Sequence, residues 1–473
     1  PAHAVLACLR GAAEGFLRVK IRMDDQAALD TLQRMFVRGN TPAAEQVRMA
    51  TEDSYKRLLF PAIERELFGT AKARADEDSV RVFAKNLRQL LMAPPLGGRR
   101  VLAIDPGYQS GCKVVCLDAH GDLTHNENIY PHPPQREIKK AARKIAALVD
   151  AHEIEVIAIG NGTAGRATEN FIRKSVRLPR QVEVYMVNED GASVYSASAV
   201  AREEMPQYDV TVRGSVSIGR RLMDPLAELV KIDPKAIGVG QYQHDVDQKM
   251  LKAKLTQEVE YVVNEVGVDV NTASKHLLMY VSGITPKVAE NILAFRSQNG
   301  NFTSRKALLK VPKLGPKTYE QAAGFLRIVG AKNPLDNSAV HPEAYHIVDA
   351  ITQKHGKNIH DIVGNEAFIK GLDPADFTTD EFGLPTVRDI LKELHKPSRD
   401  PRQQVARFNF SEHINTIEDL QPGMQLPGII NNVTNFGAFV DLGIKENGLV
   451  HISELANRFV SDPTEIVALN QQV

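Results

Sequence analysis

Apolar residues spaced three and four apart predict helices in the first part of the chain. The pattern is clearest in residues 52–67 and in residues 79–92. The sequence APPLGG, residues 93–98, ends this run, because proline and glycine terminate helices. Residues 1–97 are therefore predicted to form a helical region.

The hydrophobic pattern changes after this boundary. An apolar run at residues 101–104 predicts a buried strand, and residues 113–117 and 123–130 predict a hairpin. Helices are then predicted at 136–152 and 164–176 and from residue 191, alternating with strands at 155–159 and 182–187. The order β-β-β-α-β-α-β-α describes a mixed sheet covered by helices. Residues 98–235 are therefore predicted to be one α/β domain.

The remaining chain divides into three predicted sections. Residues 236–332 are helical and begin with a long amphipathic helix at 245–266. Residues 333–415 combine short helices with proline breaks and are predicted to be a mixed α/β linker domain. From residue 423 the chain alternates apolar and polar positions, through 425–430 and 438–442, which predicts that residues 416–473 form an all-β tail. The predicted fold class is multidomain α+β.

The composition is that of a globular protein, with 43% hydrophobic and 25% charged residues. The sequence contains no signal peptide pattern and no segment that could span a bilayer, so we expect a cytoplasmic setting. Cys8, Cys112 and Cys116 are too few for a disulfide framework and lack partners for a zinc site. We predict that they are buried apolar residues. The first residue is Pro1, so we expect a piece of a longer protein.

Charge is unevenly distributed along the chain. The 58 basic and 58 acidic residues cancel, so the whole chain creates no long-range field that attracts nucleic acid. Residues 271–335, however, hold ten basic residues against Glu290 and Glu320, a local excess of eight. The ten are Lys275, Lys287, Arg296, Arg305, Lys306, Lys310, Lys313, Lys317, Arg327 and Lys332. Such a cluster indicates a local site for a polyanion.

A repeat lies inside this basic segment. VSGITPKVAE, residues 281–290, matches VPKLGPKTYE, residues 311–320, with Val, Pro, Lys and Glu in register. In each copy a turn precedes a proline suited to the first helical position, and the helix start presents unpaired amides that favour anions. The lysine after the proline can hold a phosphate oxygen. The candidate contacts are Gly283, Thr285, Lys287, Lys313, Gly315 and Lys317.

This repeat resembles the helix-hairpin-helix motif, although each copy keeps only one of the two usual glycines. Contacts of this kind bind the phosphate backbone and do not read base sequence. The alternative is a pair of helical turns that only pack on one another. The local charge excess favours phosphate binding.

The tail contains VTNFGAFVDL, residues 433–442, and GLVHISEL, residues 448–455. These sequences closely resemble the S1-type RNA-binding domain, a small OB barrel. Phe436, Phe439 and His451 are predicted to form one exposed face on which unpaired bases stack. The alternative is that both phenylalanines are core residues, since a spacing of three on a strand buries one of them unless a bulge intervenes. An OB fold needs five strands and the chain stops after about three, so we expect a partial, mobile barrel unless something caps it.

Two carboxylates follow predicted strand ends in the α/β domain. Asp105 ends the first strand and Glu189 follows the strand at 182–187, an arrangement that resembles the ribonuclease-H-like fold of the YqgF type. Nucleases of that superfamily hold two divalent ions between three or four carboxylates. A nuclease would use Asp105, Glu189 and Asp224 with Mg²⁺ or Mn²⁺. Asp224 is equally suited to cap a helix, and Asp-Pro-Gly at Asp105 is also common in turns.

The predicted order is helical region, YqgF-like domain, tandem helix-hairpin-helix, linker domain and partial S1 domain. Together with the runs GQYQHDV (240–246) and NPLDNSAVHP (333–342), it resembles the Tex family of bacterial transcription accessory proteins. The resemblance implies a protein that binds RNA, DNA or both, contacts the transcription machinery and needs no cofactor or metal. It also implies that the YqgF-like domain is a scaffold without catalytic activity. The metal-dependent nuclease and a helical platform that docks proteins remain as alternatives.

Overall fold

Four helices open the chain in the computed structural model. The model describes residues 2–395, 400–402, 411, 414, 416–434, 436–444, 446–468 and 471–473. The helices are Ala2–Ala13 (α1), Asp25–Phe36 (α2), Pro42–Ser54 (α3) and Phe60–Leu91 (α4), and a π-helical turn, Tyr55–Leu59, joins α3 to α4. The patterns at 52–67 and 79–92 therefore lie in one nearly continuous helical run. The residues between them are mostly Ala, Lys, Arg and acidic side chains, which favour a helix.

A five-stranded mixed sheet follows the predicted boundary. Its strands are Val101–Asp105 (β1), Cys112–Leu117 (β2), Leu123–Ile129 (β3), Val156–Gly160 (β4) and Glu183–Val187 (β5). They lie in the order β3-β2-β1-β4-β5, and β1 is antiparallel to β2 and parallel to β4. The helices of this region are Ile138–Ala151 (α5), Gly165–Ser175 (α6), Ala192–Ala197 (α7), Ala199–Glu204 (α8), Val210–Met223 (α9) and Pro225–Leu229 (α10). The predicted mixed sheet covered by helices is confirmed.

Side chains of different size cover the two faces of this sheet. Large residues such as Ile104 and Ile157 pack with α5 and α6. The small residue Ala103 faces α9 on the other side, where a Cβ built on Gly219 would lie 2.9 Å from the Ala103 Cβ. Small residues on both elements therefore let α9 cross close to the sheet, beside the end of β1.

The third region is helical, as predicted. Gln248–Val266 (α11) packs along α4, and Lys275–Leu278 (α12), Pro286–Asn299 (α13) and Pro316–Ala322 (α14) follow. Two short strands, Val268–Asp269 (β6) and Leu326–Arg327 (β7), pair in parallel across this region. One buried core continues from Leu6 in α1 through α4, one face of the sheet and α11 as far as Ile328.

The prediction that residues 333–415 form a mixed α/β domain is wrong for the described residues. Residues 333–395 contain helices and 3₁₀ turns but no strand, and they have a core of their own. The α-helices are Tyr345–His355 (α15), Ile359–Ile362 (α16), Glu366–Lys370 (α17) and Leu384–His395 (α18). The prolines that suggested breaks instead begin short helical segments, as Pro334, Pro342 and Pro374 do, because proline is tolerated in the first helical turn. Most of the predicted section after residue 395 lies outside the described residues.

The tail contains a three-stranded antiparallel sheet. Ile429–Thr434 (β8), Gly437–Asp441 (β9) and Gly448–His451 (β10) lie in the order β10-β9-β8. Asn86 on α4 donates from Nδ2 to Asn432 Oδ1 at 3.0 Å, and Lys85 Nζ lies 2.6 Å from an Asp462 carboxylate oxygen. These contacts dock the tail on the helical region.

The three cysteines differ in burial. Cys112 and Cys116 are buried as predicted, but Cys8 is exposed. Cys8 lies two residues after the buried Leu6, which places it on the other side of α1.

Within the described residues, no helix combines the length and apolarity needed to cross a membrane.

Candidate nucleic-acid interface

The two repeats form the same backbone turn. Gly283 has a φ of 80° and Lys313, at the equivalent position, has a φ of 67°. The amide of Ile284 donates to the Val281 carbonyl at 3.0 Å, and the amide of Leu314 donates to the Val311 carbonyl at 3.1 Å. The second copy therefore forms the left-handed turn without glycine, at the cost that a side chain with positive φ carries.

Each turn leads directly into a helix start. Thr285 and Gly315 occupy the equivalent N-cap positions with extended backbone, and a proline opens each helix. The Thr285 hydroxyl accepts a hydrogen bond from the Val288 amide, so the first copy is partly self-capped. The first helix, α13, has 14 residues and the second, α14, only seven. The first copy therefore has the stronger helix dipole of the two.

Reciprocal contacts join the two hairpins. Asn291 on α13 donates from its side chain to the Pro312 carbonyl in the second turn at 2.7 Å. A Cβ built on Gly283 in the first turn would lie 2.9 Å from the Cβ of Gln321 on α14. Asn291 and Gln321 are equivalent in the repeat, so each helix holds the turn of the other. The ten-residue repeat does not include this pair, and its only signal in the sequence is the equivalent position of the two side chains, 30 residues apart.

Burial divides the ten basic residues of this segment into two groups. Six lysines are exposed, namely Lys287, Lys306, Lys310, Lys313, Lys317 and Lys332. The other four are partly or fully buried, so the charge excess available to a ligand is smaller than the sequence count suggests. Arg296, for example, donates to the carbonyls of Val270 and Ala273. Lys287 remains exposed although it lies 3.1 Å from Glu290, which also pairs with Lys275 at 2.8 Å.

Arg305 is the clearest departure from a phosphate-binding role. Its side chain is fully buried, and its guanidinium donates to the carbonyls of Leu326, Leu335, Val340 and Ser338 and to the Tyr345 hydroxyl. This arginine therefore fastens the second hairpin to the region that begins at residue 333. A count of charges along the sequence does not reveal such a role.

The tail places its candidate residues near one another. Phe439 pairs across the sheet with Leu449, and His451 pairs with Gly437, so Phe439 and His451 lie on the same face. The Phe436 ring lies edge-on to Phe439 with 6.0 Å between ring centroids. Ala438 and Val440 face the opposite side and are buried. Phe436 precedes β9 and lies in the turn, so the spacing rule that would bury one phenylalanine does not apply.

Phe436 also contacts the other end of the chain. The His3 ring on α1 lies 4.2 Å from the Phe436 ring, measured between centroids, at an interplanar angle of 43°. Phe436 and Phe439 are half-buried, whereas His451 is exposed. The three predicted stacking residues are therefore not equally accessible, and one of them borders the helical region.

The structure brings Asp105 and Glu189 together. β1, β4 and β5 are parallel, so the residues that follow their carboxyl ends meet at one edge of the sheet. Burial raises the pKa of both carboxyl groups, and the nearby Asp105 charge raises the pKa of Glu189 further. Lys113 lies opposite Asp105 on β2, is largely buried and offsets part of the rise in the Asp105 pKa. The Lys113 ammonium itself donates to the Ser110 carbonyl, so it adds positive charge near Asp105 without forming an ion pair with it.

Asp224, the third candidate of the nuclease alternative, lies apart from this pair and has the capping role that the sequence also suggested. It caps α10 through the Ala227 amide, and its carboxylate lies 2.6 Å from Arg402. Gly214 is the α9 residue near Asp105, and Asp224 follows ten residues later, about 15 Å further along a helix. Among the described residues, no group of three His, Cys, Asp or Glu side chains is arranged to hold a metal ion. The carboxylates in the described part of the chain therefore do not supply the three or four ligands of a two-metal site.

Family models match five consecutive parts of the chain. Residues 1–83 match a Tex central region-like model, and residues 99–223 match a Tex protein YqgF-like domain. A helix-hairpin-helix motif matches residues 263–327, and a further HHH domain matches residues 333–402, the section that sequence analysis had predicted to be mixed α/β. An S1 RNA binding domain matches residues 419–473.

Curated relatives match along the whole chain. Protein tex of Bordetella pertussis is 48% identical over 489 residues, covering 100% of this chain and 62% of that protein. Transcriptional accessory protein Tex of Neisseria gonorrhoeae is 47% identical over 99% of the chain and 62% of its own length. A human S1 RNA-binding domain-containing protein 1 is 34% identical, with 97% of the chain and 53% of that protein covered. The chain thus spans about three-fifths or less of these relatives, and it belongs to the Tex family.

Proposed function

We propose that this chain binds nucleic acid as part of a transcription accessory protein. Its tandem hairpins would hold the phosphate backbone, and its S1 segment would stack unpaired bases. The single observation that carries the proposal is the reciprocal packing of two identical turns, which places exposed lysines beside two neighbouring helix starts. The names of the bacterial relatives support the link to transcription, and we further propose contact with the transcription machinery and a cytoplasmic setting.

The hairpin half of the proposal depends on charge and backbone geometry. Lys287, Lys313 and Lys317 are exposed at or just after the two turns, and Thr285 and Gly315 are exposed at the caps. Amides at a helix start and a nearby ammonium group bind a phosphate oxygen together. Because these contacts involve the backbone of the nucleic acid, the hairpins would bind many sequences with similar affinity.

The proposed stacking of bases on the tail, residues 416–473, depends on flat, accessible side chains. Phe439 and His451 share a face of the sheet, and the exposed Leu449 lies between them as the cross-strand neighbour of Phe439. Stacking on aromatic rings tolerates any base, since every base has a flat π face. Unpaired strands would use this face and the hairpins together, whereas duplexes would use mainly the hairpins.

Binding of labelled single-stranded and double-stranded RNA and DNA by fluorescence anisotropy tests the proposal. We expect Phe439→Ala to weaken single-strand binding at least about fivefold, and Phe439→Tyr, which keeps the ring, to restore it. Lys287→Ala with Lys317→Ala should weaken binding of all four nucleic acids. The matched control, Lys139→Ala with Lys174→Ala, removes two exposed lysines of α5 and α6 and should have little effect. Equal losses in both double variants would contradict a hairpin site.

A further inference from the structure

A cleft lies between the tail, residues 416–473, and the helical region, residues 1–97. Its walls come from the start of α1, the middle of α4, the loop before α11 and the end of β8. The lining includes His3, Phe83, Gln241, Tyr242, Thr434 and Phe436. The cleft is open to solvent, and its cavity volume is only about 40 Å³, enough for the edge of a planar group but not for a whole nucleotide. Phe436 therefore belongs both to the tail and to this cleft.

The cleft combines rings with neutral polar groups. His3 packs on Phe436, and Tyr242 lies under the Arg10 guanidinium at 5.4 Å from its ring centroid. Among the described residues that line it, none is Asp, Glu, Lys or Arg. Apolar and aromatic walls with a few amide and hydroxyl groups are typical of sites for small organic ligands, and a lining without charged side chains suits an uncharged one. A phosphate would find no paired charge in this lining.

The two sides of the cleft are held in place by specific contacts. Asn86 on α4 donates to Asn432 and to the Val433 carbonyl, both at the end of the tail's first strand. On the other side, a Cβ built on Gly240 would lie 2.1 Å from the Phe83 ring, so this close approach requires glycine. The loop that carries Gln241 and Tyr242 is thus pressed against α4 beside Phe436.

We propose that this cleft binds the edge of one unpaired nucleobase from a single strand whose neighbouring bases lie on the Phe439 and His451 face. This inference rests on the proposed function and adds Tyr242 and Gln241 to the binding site. The base would lie across the open mouth, stacked on the ring-lined wall. Its hydrogen-bonding edge would face the amide of Gln241 and the hydroxyl of Thr434.

An abasic scan of a single-stranded RNA of about 12 nucleotides tests the cleft. With the unaltered chain, we expect several positions to lose affinity when the base is removed. Tyr242→Ala should lower affinity for the intact RNA at least about fivefold and should abolish the loss at one abasic position. Tyr261→Ala is the matched control, because Tyr261 also packs under an arginine, Arg88 at 4.3 Å, and lies outside the cleft.

The outcomes separate the inference from the proposed function. If Tyr242→Ala destabilises the chain, Gln241→Ala at the exposed mouth should still remove the loss at the same abasic position. Unchanged RNA affinity and an unchanged abasic profile in both variants, while Phe439→Ala weakens binding, would overturn the cleft alone. If Phe439→Ala and the hairpin lysine variants also bind normally, the proposed function fails as well.

Discussion

The side-chain amide of Asn291 donates a hydrogen bond to the Pro312 carbonyl at 2.7 Å, which ties the helix of the first hairpin to the turn of the second. Gln321 has the reciprocal position against Gly283. The residue numbers 291 and 321 differ by the 30-residue period of the repeat. The two hairpins therefore form one unit in which both turns and their lysines are positioned together.

Gly283→Ala should disturb this unit, because the new Cβ would meet Gln321 and an alanine would be held at a φ of 80°. We expect a loss of about 1 to 2 kcal/mol in the local stability of the hairpin. Hydrogen exchange of the amides around residues 281–290 measures this loss. In the described part of the chain, a Cβ built on Gly315 would meet no atom within 4 Å, and its φ is −79°. Gly315→Ala is therefore the control, and equal protection in both variants would contradict the packing.

Arg305→Lys tests whether the buried Arg305 side chain stabilises the fold and does not bind nucleic acid. A lysine has three donors and cannot reach the five acceptors that the guanidinium contacts, so we expect a loss of at least about 2 kcal/mol. Hydrogen exchange in residues 326–345 reports the loss. Lys306→Ala changes the exposed neighbour and should leave exchange there unaltered. A stable Arg305→Lys variant with weakened nucleic-acid binding would instead place Arg305 in the interface.

Glu189→Gln should stabilise the YqgF-like domain near neutral pH. Burial and the Asp105 charge raise the pKa of Glu189 in the folded state, so its ionised form opposes folding above the unfolded pKa. This penalty decreases as the pH falls through the folded pKa and is absent below the unfolded value, about 4. The melting temperature of the variant should thus exceed that of the unaltered chain at neutral pH and match it in acid. If the variant melted at a higher temperature at every pH, its stabilisation would not come from removal of the ionised Glu189 carboxylate.

Metal-dependent cleavage gives a further test of the carboxylate pair. Asp105 and Glu189 lack Asp224 as a partner, and Lys113 lies beside Asp105, so labelled single strands, duplexes and four-way junctions should remain intact with Mg²⁺ or Mn²⁺. Gel electrophoresis of the products measures this directly. Cleavage that Asp105→Asn abolishes would contradict the account and restore the nuclease alternative.

Local patterns predicted most of the fold. Strands and helices of residues 98–235 have clear periods, and Asp105 and Glu189 meet because parallel strands end at one edge of a sheet. The repeat at residues 281–290 predicted two equivalent turns, which share one backbone conformation. The secondary structure of residues 333–395 was harder to predict, because a proline that begins a helix and a proline that ends one have the same appearance in the sequence.

Local sequence patterns did not predict contacts between residues that are far apart in the chain. Arg305 looks like any surface arginine until residues 335–345 supply its acceptors. Phe436 has the pattern of an exposed stacking residue, yet His3 covers part of it from the start of the chain. The sequence offered two roles for Asp224, and in the structure it caps α10 through the Ala227 amide and also pairs with Arg402. Tertiary packing, which no local pattern encodes, determined all three.

The salt dependence of RNA and DNA affinity tests the central claim most directly. The logarithm of the binding constant should fall linearly as the logarithm of salt concentration rises, because each phosphate contact releases counterions. Lys287→Ala with Lys317→Ala should make that slope shallower by about 1.5 units, while the Lys139→Ala and Lys174→Ala control keeps it. A slope that is the same in the hairpin variant and the unaltered chain would contradict phosphate binding by the tandem hairpins.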